Sequence, residues 1–257
     1  MLNFIGQILP YLAGGIFIAG MGWRLWTWLR TPVPFKMTLS PAPVGTAQRF
    51  IKIGQELLIF KTLRQSDRRL WLWAWMMHLC LAAIIGGHIT GIYFLGQQFT
   101  ALGLSINESV KLSTILGSLS GILIFASLVA LLYRRTSNAE VKRLSDPADY
   151  FDILLLLAVV ISGLHMRLTS LEVDLPAIRT YLGSLMTFKP VSTPQNWIFI
   201  SHYFLVNILL AYLPFSKMLH MTGFFVNKAM MTATPPVYPS SLNASNISAF
   251  RKGGVSE

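Results

Sequence analysis

The chain contains very little cysteine and, for its length, little charge. Cys80 is the only cysteine among 257 residues, which excludes a disulfide framework and a set of thiolates for an iron–sulfur cluster. Charged residues make up 12% of the sequence and hydrophobic residues 53%, with a mean hydropathy of +0.55. This balance excludes an ordinary soluble domain and is typical of a protein with several membrane helices.

Five apolar segments are long enough to cross a bilayer as helices. Each has about 20 residues, the length that spans roughly 30 Å of hydrocarbon. None alternates apolar and polar residues as a barrel strand would. The first segment lacks a basic start and a small-residue cleavage site, so we expect a retained helix rather than a signal peptide. The predicted spans are residues 8–29, 70–93, 110–132, 153–171 and 198–219.

Lysine and arginine are distributed unevenly among the connections. Sixteen of them lie in the loop 30–69, in the loop after the third span and in the C-terminal region. The positive-inside rule therefore predicts an all-α, integral membrane five-helix bundle with the N-terminus outside and the C-terminus in the cytoplasm. The net charge of +11 is explained by insertion topology and anionic lipid head groups, so no nucleic-acid partner is needed.

Two cytoplasmic segments are expected beside the membrane domain, which covers residues 1–226. The loop 30–69 is proline-rich at first and then carries apolar residues at helical spacing over residues 46–61, which indicates an amphipathic interfacial helix or a partner-docking surface. The polar tail 227–257 has no core of its own and should order only against a cytoplasmic subunit. The prolines are Pro32, Pro34, Pro41 and Pro43, and the apolar residues are Phe50, Ile53, Leu57 and Phe60.

Four of the five histidines lie in pairs on two predicted spans. His78 and His88 are ten residues apart on the second span, and His202 and His220 are eighteen apart on the fifth. Because these spans run in opposite directions, depth pairs His78 with His220 and His88 with His202. Titratable side chains inside hydrocarbon rarely lack a task, and histidine is a frequent ligand of haem iron. We therefore predict that the four histidines are the axial ligands of two stacked haems.

The spacings and the neighbouring residues predict the kind of haem and its surroundings. Ten residues span about 15 Å of helix and eighteen about 27 Å, so tilt and a bend at Pro214 must absorb the difference. A continuous fifth helix would place His202 and His220 on one face. Without a Cys-x-x-Cys-His attachment site, both haems must be b-type. The glycines around His88 leave room for a flat macrocycle or serve helix packing; they are Gly86, Gly87 and Gly91.

The segments around the histidines resemble a known family. His78-Leu-Cys-Leu-Ala-Ala-Ile-Ile-Gly-Gly-His88-Ile-Thr-Gly91 and Leu213-Pro-Phe-Ser-Lys-Met-Leu-His220 are similar to the ligand helices of the gamma subunit of respiratory nitrate reductase, a dihaem cytochrome b anchor. The segments 10–14, 116–121 and 186–188 resemble the same family. The resemblance implies chemistry of menaquinol or another quinol near the outer haem, and electron transfer through the inner haem to a cytoplasmic iron–sulfur protein.

Two further segments resemble the sulfite-reduction branch of this family, DsrM. They are Arg30-Thr-Pro-Val-Pro-Phe35 in the basic first loop and Tyr212-Leu-Pro-Phe-Ser-Lys-Met-Leu-His-Met221. That branch is linked to sulfur metabolism and works beside a subunit resembling the catalytic subunit of heterodisulfide reductase. The resemblance thus implies an iron–sulfur partner that is heterodisulfide reductase-like or nitrate reductase beta-like, and a chain that is not catalytic alone.

Three polar residues near the predicted outer face are further candidates. Lys111 starts the third span where the family pattern has a lysine that acts on the quinone oxygen. Its ammonium group would donate to a quinone carbonyl, or it extends to the interface as lysines at helix ends often do. His165 and Arg167 lie in the outer half of the fourth span. One interpretation is that both line a quinone pocket or a proton route. In the other, which we favour, His165 forms a hydrogen bond with a neighbouring helix and Arg167 reaches lipid head groups.

The function predicted from these features is electron exchange, in the cell membrane, between a menaquinone-type quinol and an iron–sulfur partner. The alternative is a haem-free transporter or proton channel in which the histidines form a relay. Such proteins have inverted repeats and broken helices, and the sequence contains no convincing internal repeat. A purely structural membrane anchor is a third alternative. An absorption spectrum of the purified membrane complex separates the three.

Overall fold

The computed structural model describes residues 2–31, 45–169 and 174–232. Within these ranges the ordered elements are all helices, and five are long and apolar enough to cross a membrane. The prediction of an all-α, multi-pass membrane protein is confirmed, whereas the sidedness of the termini stays a prediction. The five spans are Phe4–Arg30, Arg68–Phe94, Ile106–Ser137, Pro147–Leu168 and Trp197–Phe215.

Ten α-helices follow one another along the described chain. Several begin at side chains that accept hydrogen bonds from the first-turn N–H groups, which would otherwise have no partner. Asp67 caps the second span in this way, Ser105 the third and Asn196 the fifth. The helices are α1 (Leu9–Arg30), α2 (Gly45–Ile59), α3 (Lys61–Ser66), α4 (Arg68–Phe94), α5 (Ile106–Ser137), α6 (Ala139–Arg143), α7 (Pro147–Leu168), α8 (Leu175–Met186), α9 (Trp197–Tyr212) and α10 (His220–Thr232).

The chain divides into two compact units. The first comprises Met1–Arg24 and Ile59–Leu219, and the second comprises Leu25–Leu58 and His220–Glu257. In the second unit, the Arg30 guanidinium lies 3.8 Å from the centroid of the Trp26 ring. The predicted extended, proline-rich start of the first loop and the predicted polar tail fall largely on residues 32–44 and 233–257, outside the described residues.

In the first unit, α4 packs on α5, α5 on α7 and α7 on α9, so each helix runs antiparallel to the next. Because lipid tails are as apolar as leucine, close packing rather than burial from water holds such helices together. The centre of this contact is formed by Cys80, Ile124, Leu128 and Leu157. Cys80 is therefore a buried packing residue. We call the end where α4 finishes and α5 begins the His88 end, and the opposite end the Asp67 end.

Two glycines of α5 let α7 approach closely. A Cβ at Gly121 would lie 2.7 Å from Cδ2 of Leu164, and a Cβ at Gly117 would overlap the guanidinium of Arg167. The two glycines are four residues apart and so share one face of the helix. This is the small-xxx-small pattern that brings membrane helices together. The Leu-Gly-Ser-Leu-Ser-Gly segment noted in the sequence therefore has a packing role.

The fifth span is shorter than predicted. The α-helix ends at Tyr212, and short 3₁₀ turns at Leu213–Phe215 and Lys217–Leu219 lead to α10. Pro214 has no N–H for the helix ladder and would clash with the preceding turn, which explains the termination. A bend was expected at Pro214, and the helix ends before it, so the helical spacing expected to place His202 and His220 on one face does not extend to His220.

The predicted amphipathic helix of the first loop is present as α2, which ends at Ile59. Phe60 then adopts a left-handed conformation with φ 52°, and α3 follows. A non-glycine residue rarely takes this conformation. The helix therefore ends one residue before Phe60, which was expected to belong to its apolar face.

A helix that sequence reasoning did not predict, α8, covers the His88 end. Its buried residues Ile178, Tyr181 and Leu185 pack with Phe199 of α9. The Tyr181 hydroxyl donates a hydrogen bond to the Gly6 carbonyl. Burial raises the pKa of the Tyr181 phenol, so the group stays a neutral donor. Helix α8 thus connects the start of the chain to the fifth span.

Candidate functional site

The rings of His88 and His202 face each other at the His88 end. Their centroids are 6.2 Å apart and their planes differ by 16°. Two imidazoles bound to one metal ion at about 2.0 Å per bond have centroids roughly 6 Å apart, once the ring radius is included. The two side chains therefore have the separation that a shared iron requires. They lie on α4 and α9, the first and last helices in the packing order α4, α5, α7 and α9.

Hydrogen bonds at Nδ1 leave Nε2 as the coordinating atom of these rings. Nδ1 of His88 lies 2.7 Å from the Ile84 carbonyl, and Nδ1 of His78 lies 2.7 Å from the Ala74 carbonyl. Because a carbonyl oxygen only accepts, Nδ1 carries the proton in both rings and the lone pair lies on Nε2. Metal-binding histidines characteristically donate their other N–H to a carbonyl in this way.

The Nδ1 atom of His202 has a hydrogen-bond partner on another helix. Its Nδ1 lies 2.9 Å from the Ser162 hydroxyl on α7. The neighbouring Gly163 also lies against the ring. Sequence reasoning missed Ser162, because only the packing of α7 on α9 brings it to the histidine.

The glycines beside His88 have open space around them in the part of the chain that the structure describes. Among those residues, a Cβ at Gly86, Gly87 or Gly91 would meet no heavy atom within 4 Å outside its own helix backbone and chain neighbours. This part of α4 thus presents a flat, open surface next to the histidine. The observation favours room for a planar group over the packing alternative, and Gly87 keeps its place among the candidate residues.

The second predicted histidine pair is not tested by the structure. His78 lies on α4 and meets the Phe60 ring edge-on, with centroids 5.1 Å apart. His220 begins α10 and belongs to the second unit. The pairing of His78 with His220 therefore stays a prediction from the sequence.

Lys111 and His165 lie at the His88 end, near the start of α5 and near the end of α7. Lys111 is exposed and makes no hydrogen bond or ion pair with the described part of the chain. The His165 ring stands edge-on to Trp197 at a centroid distance of 5.8 Å. The structure brings both to the same end as His88, without a contact between them.

Arg167 folds back onto the protein. One guanidinium nitrogen donates a hydrogen bond to the Ser113 carbonyl at 2.9 Å, and the group lies over Gly117. The sequence interpretation that we favoured, an arginine reaching lipid head groups, did not anticipate this contact. The spacing of Gly117 and Gly121 indicates that another helix packs closely on α5, but it does not indicate that Arg167 lies against Gly117.

The Asp67 end holds paired charges. Arg134 contacts Asp67 at 3.2 Å, Arg135 contacts Asp149 at 3.0 Å, and Lys217 contacts Asp149 at 2.9 Å. The N–H of Leu70 and the Arg134 guanidinium hold the pKa of Asp67 below its usual range. These pairs tie the first loop, α5, α7 and the end of the fifth span together.

The chain matches known proteins over most of its length. The model of the nitrate reductase gamma subunit family matches residues 60–237. An Hdr-like menaquinol oxidoreductase cytochrome b-like subunit of Archaeoglobus fulgidus is 30% identical over 260 residues, covering 86% of this chain and 76% of the relative. The protein of the same description from Archaeoglobus profundus is 26% identical over 263 residues, with the same coverage of 86% and 76%.

A nitrate reductase gamma chain of Bacillus subtilis is 26% identical over 155 residues, covering 57% of this chain and 69% of the relative. The family match includes four of the five spans and all of the candidate histidines, from His78 to His220. The chain therefore belongs to the nitrate reductase gamma subunit family.

Proposed function

We propose that the chain is a dihaem cytochrome b subunit that transfers electrons between a quinone pool and an iron–sulfur partner. The observation that carries the proposal is the approach of His88 to His202, with ring centroids 6.2 Å apart and both Nδ1 atoms engaged elsewhere. A histidine relay without haem would need hydrogen bonds between successive rings or through water. It would not need two ring centroids at the separation of a pair of metal ligands.

The two haems are assigned to His88 with His202 and to His78 with His220. Haem b supplies one-electron redox chemistry, and the chain supplies the ligands, the spacing and the environment. The single cysteine leaves axial ligation as the means of holding each haem. In three of the four proposed ligands Nδ1 has a hydrogen-bond partner, which supports Nε2 as the coordinating atom.

The quinone is assigned to the His88 end. Two relatives are named menaquinol oxidoreductase subunits, which supports menaquinone as the class of quinone. Lys111 and His165 lie at this end, and Lys111 has an ammonium group free to donate to a quinone carbonyl. A site there would be close to the His88–His202 haem, with lipid access for the quinone tail.

The proposed electron-transfer partner is a cytoplasmic iron–sulfur subunit. Relatives whose names describe subunits of oxidoreductase and nitrate reductase complexes support such a partner. The two Hdr-like relatives favour the sulfite-reduction branch and a heterodisulfide reductase-like partner over a nitrate reductase beta-like one. The basic first loop, residues 134–143 and the tail are the proposed docking surface, which is consistent with a cytoplasmic C-terminus.

A haem assay on the purified membrane complex tests the proposal. The pyridine haemochrome should give two b haems per chain, and the dithionite-reduced minus oxidised spectrum should show b-type bands. His88→Ala and His202→Ala should each remove the same haem, and His78→Ala and His220→Ala the other. His165→Ala is the matched control and should keep both. One haem or none in the wild-type chain would overturn the assignment.

A further inference from the structure

We infer that Ser162 and Gly163 of α7 form a seat for the His202 ring, in which Ser162 fixes the tautomer and orientation of His202 and tunes the haem bound there. The inference deepens the proposed function and rests on it. Ser162 is a positioning residue, because it acts through His202 and has no place among the ligands.

The hydrogen bonds of Ser162 determine which ring nitrogen carries the proton. Its hydroxyl lies 2.9 Å from the Val159 carbonyl and 2.9 Å from Nδ1 of His202. A hydroxyl has one hydrogen, and a carbonyl can only accept, so that hydrogen points to Val159. Towards His202, Ser162 is then the acceptor. Nδ1 of His202 is therefore the N–H donor, and the lone pair lies on Nε2, where a metal ligand needs it.

This arrangement differs from that of the other described ligands. His78 and His88 direct Nδ1 to carbonyls of their own helix, at Ala74 and Ile84. Those contacts belong to the backbone and survive any side-chain substitution. His202 instead has its partners on the neighbouring helix α7, the Ser162 hydroxyl and the Val159 carbonyl, so its orientation depends on how α7 packs against α9. The Ser162 hydroxyl is a side-chain hydrogen-bond partner, so substitution can remove it while the backbone contacts stay.

Gly163 leaves the space that the His202 ring occupies in this orientation. A Cβ at this position would lie 3.2 Å from Cε1 and 3.6 Å from Nδ1 of His202. The first distance is shorter than an ordinary van der Waals contact, so even alanine would push the ring. Together the two residues act on one edge of the imidazole, Ser162 by a hydrogen bond and Gly163 by leaving space.

The expected effect of Ser162 has a definite sign. An N–H···O bond at Nδ1 increases the basicity of the imidazole and its electron donation to the metal. Electron donation favours the oxidised iron, so loss of the bond should raise the midpoint potential of the haem on His202. Loss of such a partner typically weakens metal binding by about 10- to 100-fold. The haem on His78 should be unaffected, because Ser162 does not contact that ligand.

Redox titration of the purified membrane complex tests the inference. Ser162→Ala should raise the midpoint potential of one b haem, alter its low-spin EPR signal and make that haem easier to lose, while the second haem titrates as before. Ser162→Thr keeps a hydroxyl and should restore the wild-type titration. Ser201→Ala is the matched control, because the Ser201 hydroxyl bonds the Trp197 carbonyl of its own helix. Its titration should not change.

The outcomes separate this inference from the proposed function. Absence of two haems in the wild-type chain counts against the function itself. If the wild-type chain holds two haems and their potentials and EPR signals are unchanged in Ser162→Ala, the role of Ser162 is wrong while the proposed function stands. If Ser162→Ala does not accumulate, Gly163→Ala takes its place. It should displace the ring and alter the EPR signal of one haem, and an unchanged signal in that variant would overturn the inference equally.

Discussion

The guanidinium of Arg167 in α7 donates a hydrogen bond to the backbone carbonyl of Ser113 in α5, with an N···O distance of 2.9 Å. The arginine lies over Gly117, where a Cβ would overlap it. A charged side chain near hydrocarbon is costly unless a polar group meets it. The glycine therefore allows the contact that partly offsets this cost, and it links the start of α5 to the end of α7.

Alanine at Gly121 should destabilise the α5–α7 interface. The new Cβ would lie 2.7 Å from Cδ2 of Leu164, and such overpacking costs about 1–3 kcal/mol. Thermal unfolding of the purified protein in detergent, followed by circular dichroism, measures the effect. Gly183→Ala is the control, because no atom of the described ranges lies within 4 Å of its Cβ position and alanine favours the helix. Equal melting temperatures for both variants would contradict this packing.

The Asp67–Arg134 pair should make stability depend on pH in the acidic range. The N–H of Leu70 and then Arg134 lower the pKa of Asp67 in the folded state. Its contribution is therefore complete above the usual carboxylate range and is lost as pH falls through the lowered folded value. The melting temperature of the wild-type protein should fall more steeply on acidification than that of Asp67→Asn. Glu140→Gln is the control, since Glu140 is exposed and has no ion pair within the described residues. Parallel curves for the wild-type protein and Asp67→Asn would contradict the role.

Much of the fold could be predicted, because a bilayer demands long apolar helices and the antiparallel order of the spans sets the depth of each residue. That reasoning predicted His88 at the depth of His202, and the two ring centroids lie 6.2 Å apart. It could not show that Ser162 or Arg167 turns towards a neighbouring helix. Such contacts depend on how each helix is rotated about its axis, and spacing along one helix carries no information on that rotation.

The end of α9 and the presence of α8 were also beyond sequence reasoning. A proline in a membrane span either kinks the helix or ends it, depending on what surrounds it. Here Pro214 is buried, Gly20 approaches it closely, and Arg24 donates to its carbonyl at 3.2 Å. These contacts come from α1, far away in the sequence. The apolar residues of α8 are too few to stand out beside the longer spans, although Tyr181 is almost fully buried.

The chain should copurify with a cluster-bearing cytoplasmic subunit, because its single cysteine cannot hold an iron–sulfur cluster. Affinity purification in mild detergent, with assays for iron and acid-labile sulfide, tests this. A deletion of residues 233–257 should reduce the recovery of the partner while both haems stay bound, since the candidate ligands all precede that segment. A single chain that oxidises quinol and reduces the terminal substrate without a partner would contradict the prediction.

Replacement of Lys111 by alanine should slow the reduction of the haems by quinol. Lys111 lies at the His88 end and its ammonium group is exposed, so it can donate to a quinone oxygen as charge develops there. The rate should fall by about tenfold, less than the ~100-fold typical for a buried donor, because water also reaches an exposed site. Stopped-flow reduction by a menaquinol analogue measures the rate, and haem content and spectra should stay nearly intact.

Two further variants control for the loss of a cation. Lys111→Arg should recover part of the rate. Lys189→Ala, which removes a cation after α8 at the same end, should match the wild-type protein. If Lys111→Ala reduces at the wild-type rate across quinol concentrations, the quinone does not bind beside Lys111, and a pocket near the haem of His78 becomes the better candidate.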